Sequence, residues 1–188
     1  MRLVPILSVL SVALLAVPAR AADEWKVDPV HSSLLFKVKH FNAGYVWGMI
    51  HAPAGKVVWD EADPANSAFE VTAKAEAIAT GNEKRDQHLK SPDFFNAKQF
   101  PTLSFKSTSV KKLADSQYEV TGDLTIRGKT QRVTTILNHV GTGSGMQGEA
   151  RTGFEGTFTI NRADFDVAYM PQAIGNEVTI TVAIEATK

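Results

Sequence analysis

Strict alternation of apolar and polar residues is the feature that most constrains how this chain folds. Within residues 68–78 every second side chain from Phe69 to Ala77 is apolar, and the positions between these are polar or charged. The apolar positions are Phe69, Val71, Ala73, Ala75 and Ala77. Successive side chains of a β-strand point to opposite faces, whereas a helix would spread these charges around its circumference. The pattern therefore predicts a strand with one buried face and one solvent-exposed face.

The same alternation recurs along the chain and predicts an all-β protein. It is strong over 34–39, 118–126, 154–160 and 178–185, and weaker over 45–51, 55–59, 103–110 and 132–140. Turn-forming residues separate these segments, for example Asp63-Pro64 and Arg127-Gly128. Eight or nine strands with one wet face each are typical of a closed antiparallel barrel or a sandwich, and closure protects the strand edges.

Residues 83–95 break the period of two and contain many charged side chains. Thr80 or Asn82 can cap the start of a helix, and Ser91-Pro92 can end one. We therefore expect one or two short helices near 83–95, packed across an end of the barrel.

The first 21 residues have the layout of a secretory signal peptide. Arg2 precedes an apolar run, and small residues stand at the −3 and −1 positions relative to cleavage after Ala21. The apolar run is shorter than the roughly 20 residues of a membrane-spanning helix. We therefore predict a signal peptide at 1–21, one mature domain at 22–188, and location in the periplasm.

Charge and cysteine content narrow the function classes. Without residues 1–21 the chain carries 18 basic and 20 acidic side chains, a net charge of −2. The chain therefore lacks the basic excess that would favour a nucleic-acid partner. The chain has no cysteine, so its stability depends on burial and on sheet hydrogen bonds rather than on disulfides.

Many inward positions of the predicted strands carry small residues. They are Ala73, Ala75, Ala77, Gly122, Gly148, Ala150, Thr152 and Gly156. In one interpretation the small residues simply face large ones in a solid core. In the other, which we favour, they leave a narrow apolar tunnel, because a small barrel without a ligand usually fills its interior with large side chains.

Five motifs in order resemble the YceI-like family of lipocalin-like, polyisoprenoid-binding bacterial proteins. The similarity extends from Trp25 to Ala186. The motifs are Trp25 to Ser32, Phe36 to His40, Arg85 to Phe95 continuing to Phe100 to Phe105, Gly122 to Gly128, and Val178 to Ala186. One departure follows Phe165, where Asp166 stands at a position that the family usually gives to glycine or to a bulky residue before one.

The resemblance implies an extended eight-stranded antiparallel barrel, often dimeric, that holds a long isoprenoid chain of polyprenyl or isoprenoid-quinone type. Fatty acids or their amides are the family's other cargo. It implies no catalysis and no cofactor besides the bound lipid. The partners we expect are an isoprenoid lipid or quinone, a second copy of the chain and, transiently, a membrane.

Strand phase and the resemblance together suggest which side chains bind the lipid. We predict that these are Phe36, Val38, His40, Phe69, Val71, Ala73, Phe94, Phe105, Leu124, Phe154, Phe158 and Ile180. An envelope interaction module with a solid core remains an alternative.

The polar candidates are weaker. Arg85, Asp86 and His88 could serve acid–base chemistry, but we favour a role for Arg85 or Asp86 in tying the helix to the barrel. The spacing of the five histidines fits no short metal motif, so we predict no metal site. Arg162 and Asp164 are expected to form an ion pair.

Overall fold

A computed structural model describes residues 22–188, and the predicted signal peptide lies outside the described residues. The strands are β1 (Asp23–Val27), β2 (Ser33–His40), β3 (Gly44–Ile50), β4 (Ala54–Trp59), β5 (Ala68–Lys74), β6 (Ile78–Ala79), β7 (Thr102–Ala114), β8 (Gln117–Ile126), β9 (Lys129–Ser144), β10 (Ala150–Asn161) and β11 (Ile174–Thr187). One α-helix, α1, spans Glu83–Lys90. Within 22–188 this helix is too short to cross a membrane.

These eleven strands occupy eight positions in one antiparallel sheet, because three long strands are each broken once. β1 continues into β2 after a turn at 28–32, and β3 continues into β4 after 51–53. β5 continues into β6 after the 3-10 turn Ala75–Ala77, so the strand predicted over 68–78 ends earlier, at Lys74. The expected all-β fold with eight strand positions is confirmed.

Pairing closes the sheet on itself. β1 pairs with β4 on one side and with the end of β11 on the other, while β2 pairs with β3 and with the middle of β11. β4 pairs with β5, β5 with β7, and the remaining neighbours follow chain order up to β11. The result is the predicted eight-stranded, lipocalin-like antiparallel barrel.

The hydrogen-bonded wall is interrupted at two places, between β6 and β7 and between β9 and β10, whose pairing ends at Leu137 and Gly156. β6 pairs with β3 rather than with β7, and the β5–β7 ladder ends at the pair Lys74 and Thr102. Helix α1 and the turns that follow it fill the gap between β6 and β7, and Ala75 N continues the contact by donating to Pro101 O at 2.9 Å. We call residues 83–101 the wall insert.

The wall insert is held at both ends by capping and side-chain bonds. Asn82 Oδ1 accepts from Arg85 N at 3.0 Å, so the predicted cap is Asn82 rather than Thr80. Phe94 and Ala97 of the insert are buried, and Arg127 Nη1 donates to Phe94 O at 2.8 Å. The helix expected near 83–95 is confirmed as a single one, since turns rather than a second helix follow Ser91.

The interior has two apolar clusters. The closed-end core consists of buried Trp25, Val27, Val57, Trp59, Phe69, Val110, Tyr118, Val120, Leu137, Phe154, Ile184 and Ala186. The second cluster consists of Ala75, Phe94, Ala97, Leu103, Leu124, Ile126, Ile160, Phe165 and Val167. Leu34, Val71 and Val182 are only partly buried although they face inward from the strands beside the closed-end core.

Two tight turns bear on the sequence predictions. Arg127 and Gly128 both have positive φ, 49° and 72°, and form the two-residue connection between β8 and β9 that their order predicts. Asp166 also has a positive φ, 58°, where it ends a 3-10 turn. Aspartate tolerates this left-handed conformation better than most residues, which explains how it replaces glycine here.

A polar cluster fixes the break between β1 and β2. Asp28 accepts from His31 Nδ1 at 2.8 Å and from Arg151 Nη1 at 3.2 Å, and Arg151 also bonds Glu185 of β11. Ser32 Oγ accepts from Glu185 N at 3.0 Å. The hydrogen bond from His31, aided by the backbone amides of Val30 and His31, lowers the pKa of Asp28 from 3.8 to about 2.

We predict that Asp28→Asn lowers the free energy of unfolding at pH 7 by about 1–3 kcal/mol, because charge-assisted hydrogen bonds are lost. Since the pKa of Asp28 lies lower in the folded state, its contribution is complete above pH 3.8 and disappears as the pH falls toward 2. Urea unfolding at several pH values measures both effects.

Asp123→Asn is the matched control, because Asp123 pairs with Arg132 on the exposed outer face. This variant should change the unfolding free energy by less than about 1 kcal/mol. Equal losses for both variants, or a loss for Asp28→Asn that persists at pH 2, would contradict the assignment.

Candidate functional site

An apolar cavity of about 370 Å³ runs inside the barrel, beside the closed-end core. Its volume lies within the range of about 300–1,000 Å³ that is usual for small-molecule sites. Strands β2 and β11 are hydrogen-bonded neighbours in one wall of the cavity. Their inward side chains are half-buried because they border the cavity.

The wall of the cavity is aliphatic and aromatic over most of its surface. Its apolar lining includes Leu34, Val46, Ile50, Leu89, Phe95, Leu103, Ile126, Leu137, Phe165, Val167, Ile174, Val178, Val182 and Ile184. None of the lining residues in the described chain is acidic. A wall of this kind favours apolar ligands, because an apolar ligand brings no polar group that would be buried there without a hydrogen-bond partner.

The structure brings eleven of the twelve predicted site residues to this cavity. They are Phe36, Val38, His40, Phe69, Val71, Ala73, Phe94, Phe105, Leu124, Phe158 and Ile180. For ten of them the phase on the strands indicates the inward direction, whereas Phe94 lies in the turns after α1. Whether they contact a ligand remains a prediction.

Phe154 lies apart from the cavity wall. It is 2% exposed and belongs to the closed-end core, where it packs edge-on against Phe69 with ring centroids 5.0 Å apart and stacks on His139. Its inward phase was read correctly, but phase does not tell how far along the barrel the cavity extends. Burial also lowers the pKa of His139, whose Nε2 lies 3.0 Å from Thr152 Oγ1.

Both interpretations of the small inward residues hold in different places. Gly122 and Gly156 lie directly against the side chains of Phe105 and Leu137, so these glycines make room for large neighbours. Ala73 borders the cavity itself. Gly148 was wrongly placed inside, since it is an exposed turn residue with a φ of 86°.

The cavity meets the surface where its lining residues are also exposed. Five lining residues are exposed, and we call four of them, His40, Arg85, His88 and Met170, the mouth; the fifth is Thr72 of β5. The mouth residues come from the end of β2, from the wall insert and from the loop before β11. Polar groups therefore concentrate at the opening, while the interior is apolar.

The polar residues of α1 serve the fold. Arg85 Nε donates to Thr80 Oγ1 at 2.7 Å and Arg85 Nη2 donates to Thr80 O at 2.9 Å. Asp86 Oδ1 accepts from Thr80 N at 2.8 Å. The predicted tie between helix and barrel is present and uses both side chains. His88 Nε2 lies 2.8 Å from Asp93 Oδ2, and its ring packs edge-on against Phe94.

Arg162 has a role that the sequence reasoning missed. It is 5% exposed and donates to the carbonyl oxygens of Val167, Tyr169, Ile174 and Gly175 at 2.6–2.9 Å. The expected ion pair with Asp164 is wrong, because the Arg162 side chain turns inward while Asp164 is exposed. Backbone carbonyls leave no mark in the sequence, so no signal pointed to these partners.

One group of potential metal ligands lies at the opposite end. Single ligand atoms of Asp28, His31 and Glu185 lie within 4.8 Å of one another. Arg151 Nη1 donates to both carboxylates and so already supplies positive charge between them. We interpret these residues as the hydrogen-bonded cluster that fixes the break between β1 and β2.

Comparison with known proteins gives a consistent relationship. A profile of the YceI-like domain matches residues 25–186. A UPF0312 protein of Ectopseudomonas mendocina (strain ymp) is 34% identical over 182 residues, which cover 96% of this chain and 95% of that protein. A UPF0312 protein of Pseudomonas putida (strain KT2440) is 33% identical over 181 residues, covering 95% and 94%.

Solved structures share the barrel. Burkholderia cenocepacia BcnA is similar with a TM-score of 0.79 at 25% identity, covering 86% of this chain and 99% of that chain. The Campylobacter jejuni YCEI protein gives 0.71 at 26% identity, covering 80% and 89%. A polyisoprenoid binding domain from Saccharophagus degradans, implicated in plant cell wall breakdown, gives 0.69 at 14% identity, covering 89% and 99%, which shows a common fold.

We predict that Arg162→Met lowers the free energy of unfolding by about 3 kcal/mol, since carbonyl groups at the mouth lose their donors. Amide hydrogen exchange over residues 166–174 should accelerate more than exchange in the closed-end core. Arg132→Met, which removes an exposed arginine from the outer face, is the control and should leave exchange over 166–174 unchanged. Uniform acceleration throughout the barrel would refute a local role.

Proposed function

Because this chain belongs to the YceI-like domain family, we propose that it binds a long isoprenoid lipid, of polyprenyl or isoprenoid-quinone type, inside the barrel. The lipid is carried or sequestered without covalent change. The single observation that carries this proposal is the apolar cavity with polar residues only near its mouth and along a few wall positions.

The energetics suit a carrier. Burial of an alkyl chain stabilises its complex by about 0.8 kcal/mol per CH₂ relative to water. A free long-chain lipid, however, resides in a membrane rather than in water. The protein therefore needs only an interior about as apolar as lipid, which the wall of aliphatic and aromatic side chains supplies.

The mouth is suited to a small polar head group. His40, Arg85 and His88 offer hydrogen-bond donors there, and the described lining contains no carboxylate that would repel an anionic or carbonyl-bearing head. We expect the head group to lie at these residues and the hydrocarbon to extend toward Val71 and Val182.

Other proteins of this fold support the ligand class. The Saccharophagus degradans domain, described as polyisoprenoid binding, has the same barrel. Fatty acids or fatty amides are the second candidate, because a straight chain satisfies the same apolar wall. The cavity disfavours an envelope interaction module with a solid core.

We propose a non-catalytic role for Arg85, Asp86 and His88. Arg85 and Asp86 both bond Thr80 and are needed to hold the helix, while His88 pairs with Asp93. The signal-peptide pattern supports action in the periplasm. A homodimer remains a family expectation, which sedimentation measurements can test.

The prediction is that protein purified without detergent takes up a polyprenyl lipid at a ratio of one per chain, measured by native mass spectrometry. Ile180→Trp should reduce uptake at least about tenfold, because the indole fills the cavity beside Phe36. Thr179→Trp is the matched control, since Thr179 lies on the opposite face of the same strand and should leave uptake unchanged.

Competition with a fatty acid of similar length decides between the two lipid classes. Displacement of the isoprenoid by the fatty acid at equal concentration would favour the second candidate. An unchanged apo mass with both lipids would refute lipid carriage. If the unaltered protein converts the bound lipid to a product and the His88→Ala variant does not, the protein is instead an enzyme.

A further inference from the structure

The outer face of the β2–β3 hairpin carries large aromatic side chains. Trp47 is 55% exposed and Tyr45 is 59% exposed, and both point outward because they pair across the strands with Lys37 and Lys39. Phe41, in the turn between the strands, is 62% exposed. We call Phe41, Tyr45, Trp47 and the two lysines the hairpin patch.

The hairpin patch is basic and has no balancing acid of its own. Between Asp28 and Asp60 the chain contains no aspartate or glutamate, yet it contains Lys37, Lys39 and Lys56, of which Lys56 on β4 pairs with Glu24. Within residues 22–188, neither Lys37 nor Lys39 forms an ion pair with a carboxylate. Glu177 of β11 is the closest acidic position in register, next to Val178, which pairs with Val38. The patch thus has a positive charge on a chain whose predicted mature form is slightly negative.

Lys37 lies between the two aromatic rings. Its Nζ is 5.1 Å from the Tyr45 ring centroid and 5.4 Å from the Trp47 ring centroid. Tyrosine and tryptophan favour the boundary between lipid head groups and acyl chains, and neighbouring lysines attract anionic head groups. The composition of the patch is therefore typical of a surface that contacts a membrane interface rather than of one that contacts water alone.

The hairpin patch is continuous with the mouth. Phe41 follows His40, a mouth residue, and Phe41 N donates to Ala173 O at 2.7 Å. That bond joins the β2–β3 turn to the loop of Met170, which is 43% exposed and also borders the mouth. Apolar groups thus extend from the outer face of the hairpin to the entrance of the cavity.

A second exposed apolar site lacks these properties. Leu113 is 45% exposed and follows Lys111 and Lys112 on β7, at the end of the barrel opposite to the mouth. Lys111 lies opposite Glu119 across the strands, so an acidic position adjoins this site. This site serves as the matched comparison.

We propose that the hairpin patch docks the protein on the surface of a membrane with anionic lipids and holds the mouth against the acyl region. The inference rests on the proposed lipid-carrier function, for which it supplies the route of loading. Trp47 and Phe41 insert at the interface, and Lys37 and Lys39 contact the head groups. The cargo then enters the mouth without crossing water.

The protein contains its own reporter of docking. Of the three tryptophans, Trp25 and Trp59 are each 6% exposed in the closed-end core, whereas Trp47 is exposed. Vesicles of phosphatidylcholine mixed with phosphatidylglycerol should therefore shift the fluorescence of Trp47 to shorter wavelength and shield it from a soluble quencher. Vesicles of phosphatidylcholine alone should produce a smaller shift, and salt should weaken the effect.

Two sets of variants test the patch by co-sedimentation with the same vesicles. Lys37→Gln with Lys39→Gln, and separately Phe41→Asn, should weaken vesicle binding about tenfold or more. Asparagine suits position 41 because φ there is 46°. The control, Lys111→Gln with Lys112→Gln and Leu113→Asn, should bind as the unaltered protein does.

The outcomes separate docking from cargo binding. Ile180→Trp, which blocks the cavity, should still co-sediment with anionic vesicles. Absence of binding to these vesicles, or equal losses in the patch and control variants, would overturn the proposal even if lipid uptake from solution is intact. A Trp47 shift that depends on protein concentration and needs no vesicle would also overturn it, because the patch would then be a contact between copies.

Discussion

The structure depends on the way in which one strand, β11, closes the barrel against two successive strands. Its end pairs with β1 and its middle pairs with β2. This is feasible only if the chain turns sharply between them, and Asp28, Ser32, Arg151 and Glu185 fix that turn by hydrogen bonds. Without this lock β11 would have one free edge over part of its length, and an exposed edge invites pairing with other chains.

The break divides the barrel into two functional halves. On the side of β1 and β4, Trp25, Trp59 and Phe154 fill the interior, and this end is solid. On the side of β2 and β3, the inward residues of β2 and β11 border the cavity. The closed-end core and the cavity thus occupy mostly different lengths of the same strands, and Phe69, Leu137 and Ile184 belong to both.

Alternation and motif order were enough to predict the fold and most of the cavity wall, because both are encoded by which face each residue occupies. Depth along the barrel is not encoded in this way, so Phe154 was predicted at the cavity although it lies in the closed-end core. The contacts of Arg162 could not be predicted either, since its partners are carbonyl groups that every residue possesses. Charge proximity in sequence wrongly suggested Asp164 instead.

The wall insert is attached to the barrel differently from the strands around it. Most of the rest of the wall consists of paired strands, and separating two such strands breaks a row of backbone hydrogen bonds. The insert is joined by turns and by a few side-chain bonds, such as that between Arg127 Nη1 and Phe94 O at 2.8 Å. Regions held in this way open at lower free energy than core strands. Because the insert also supplies Leu89, Phe94 and Phe95 to the cavity wall, its release would open the cavity while leaving the strand pairs in place.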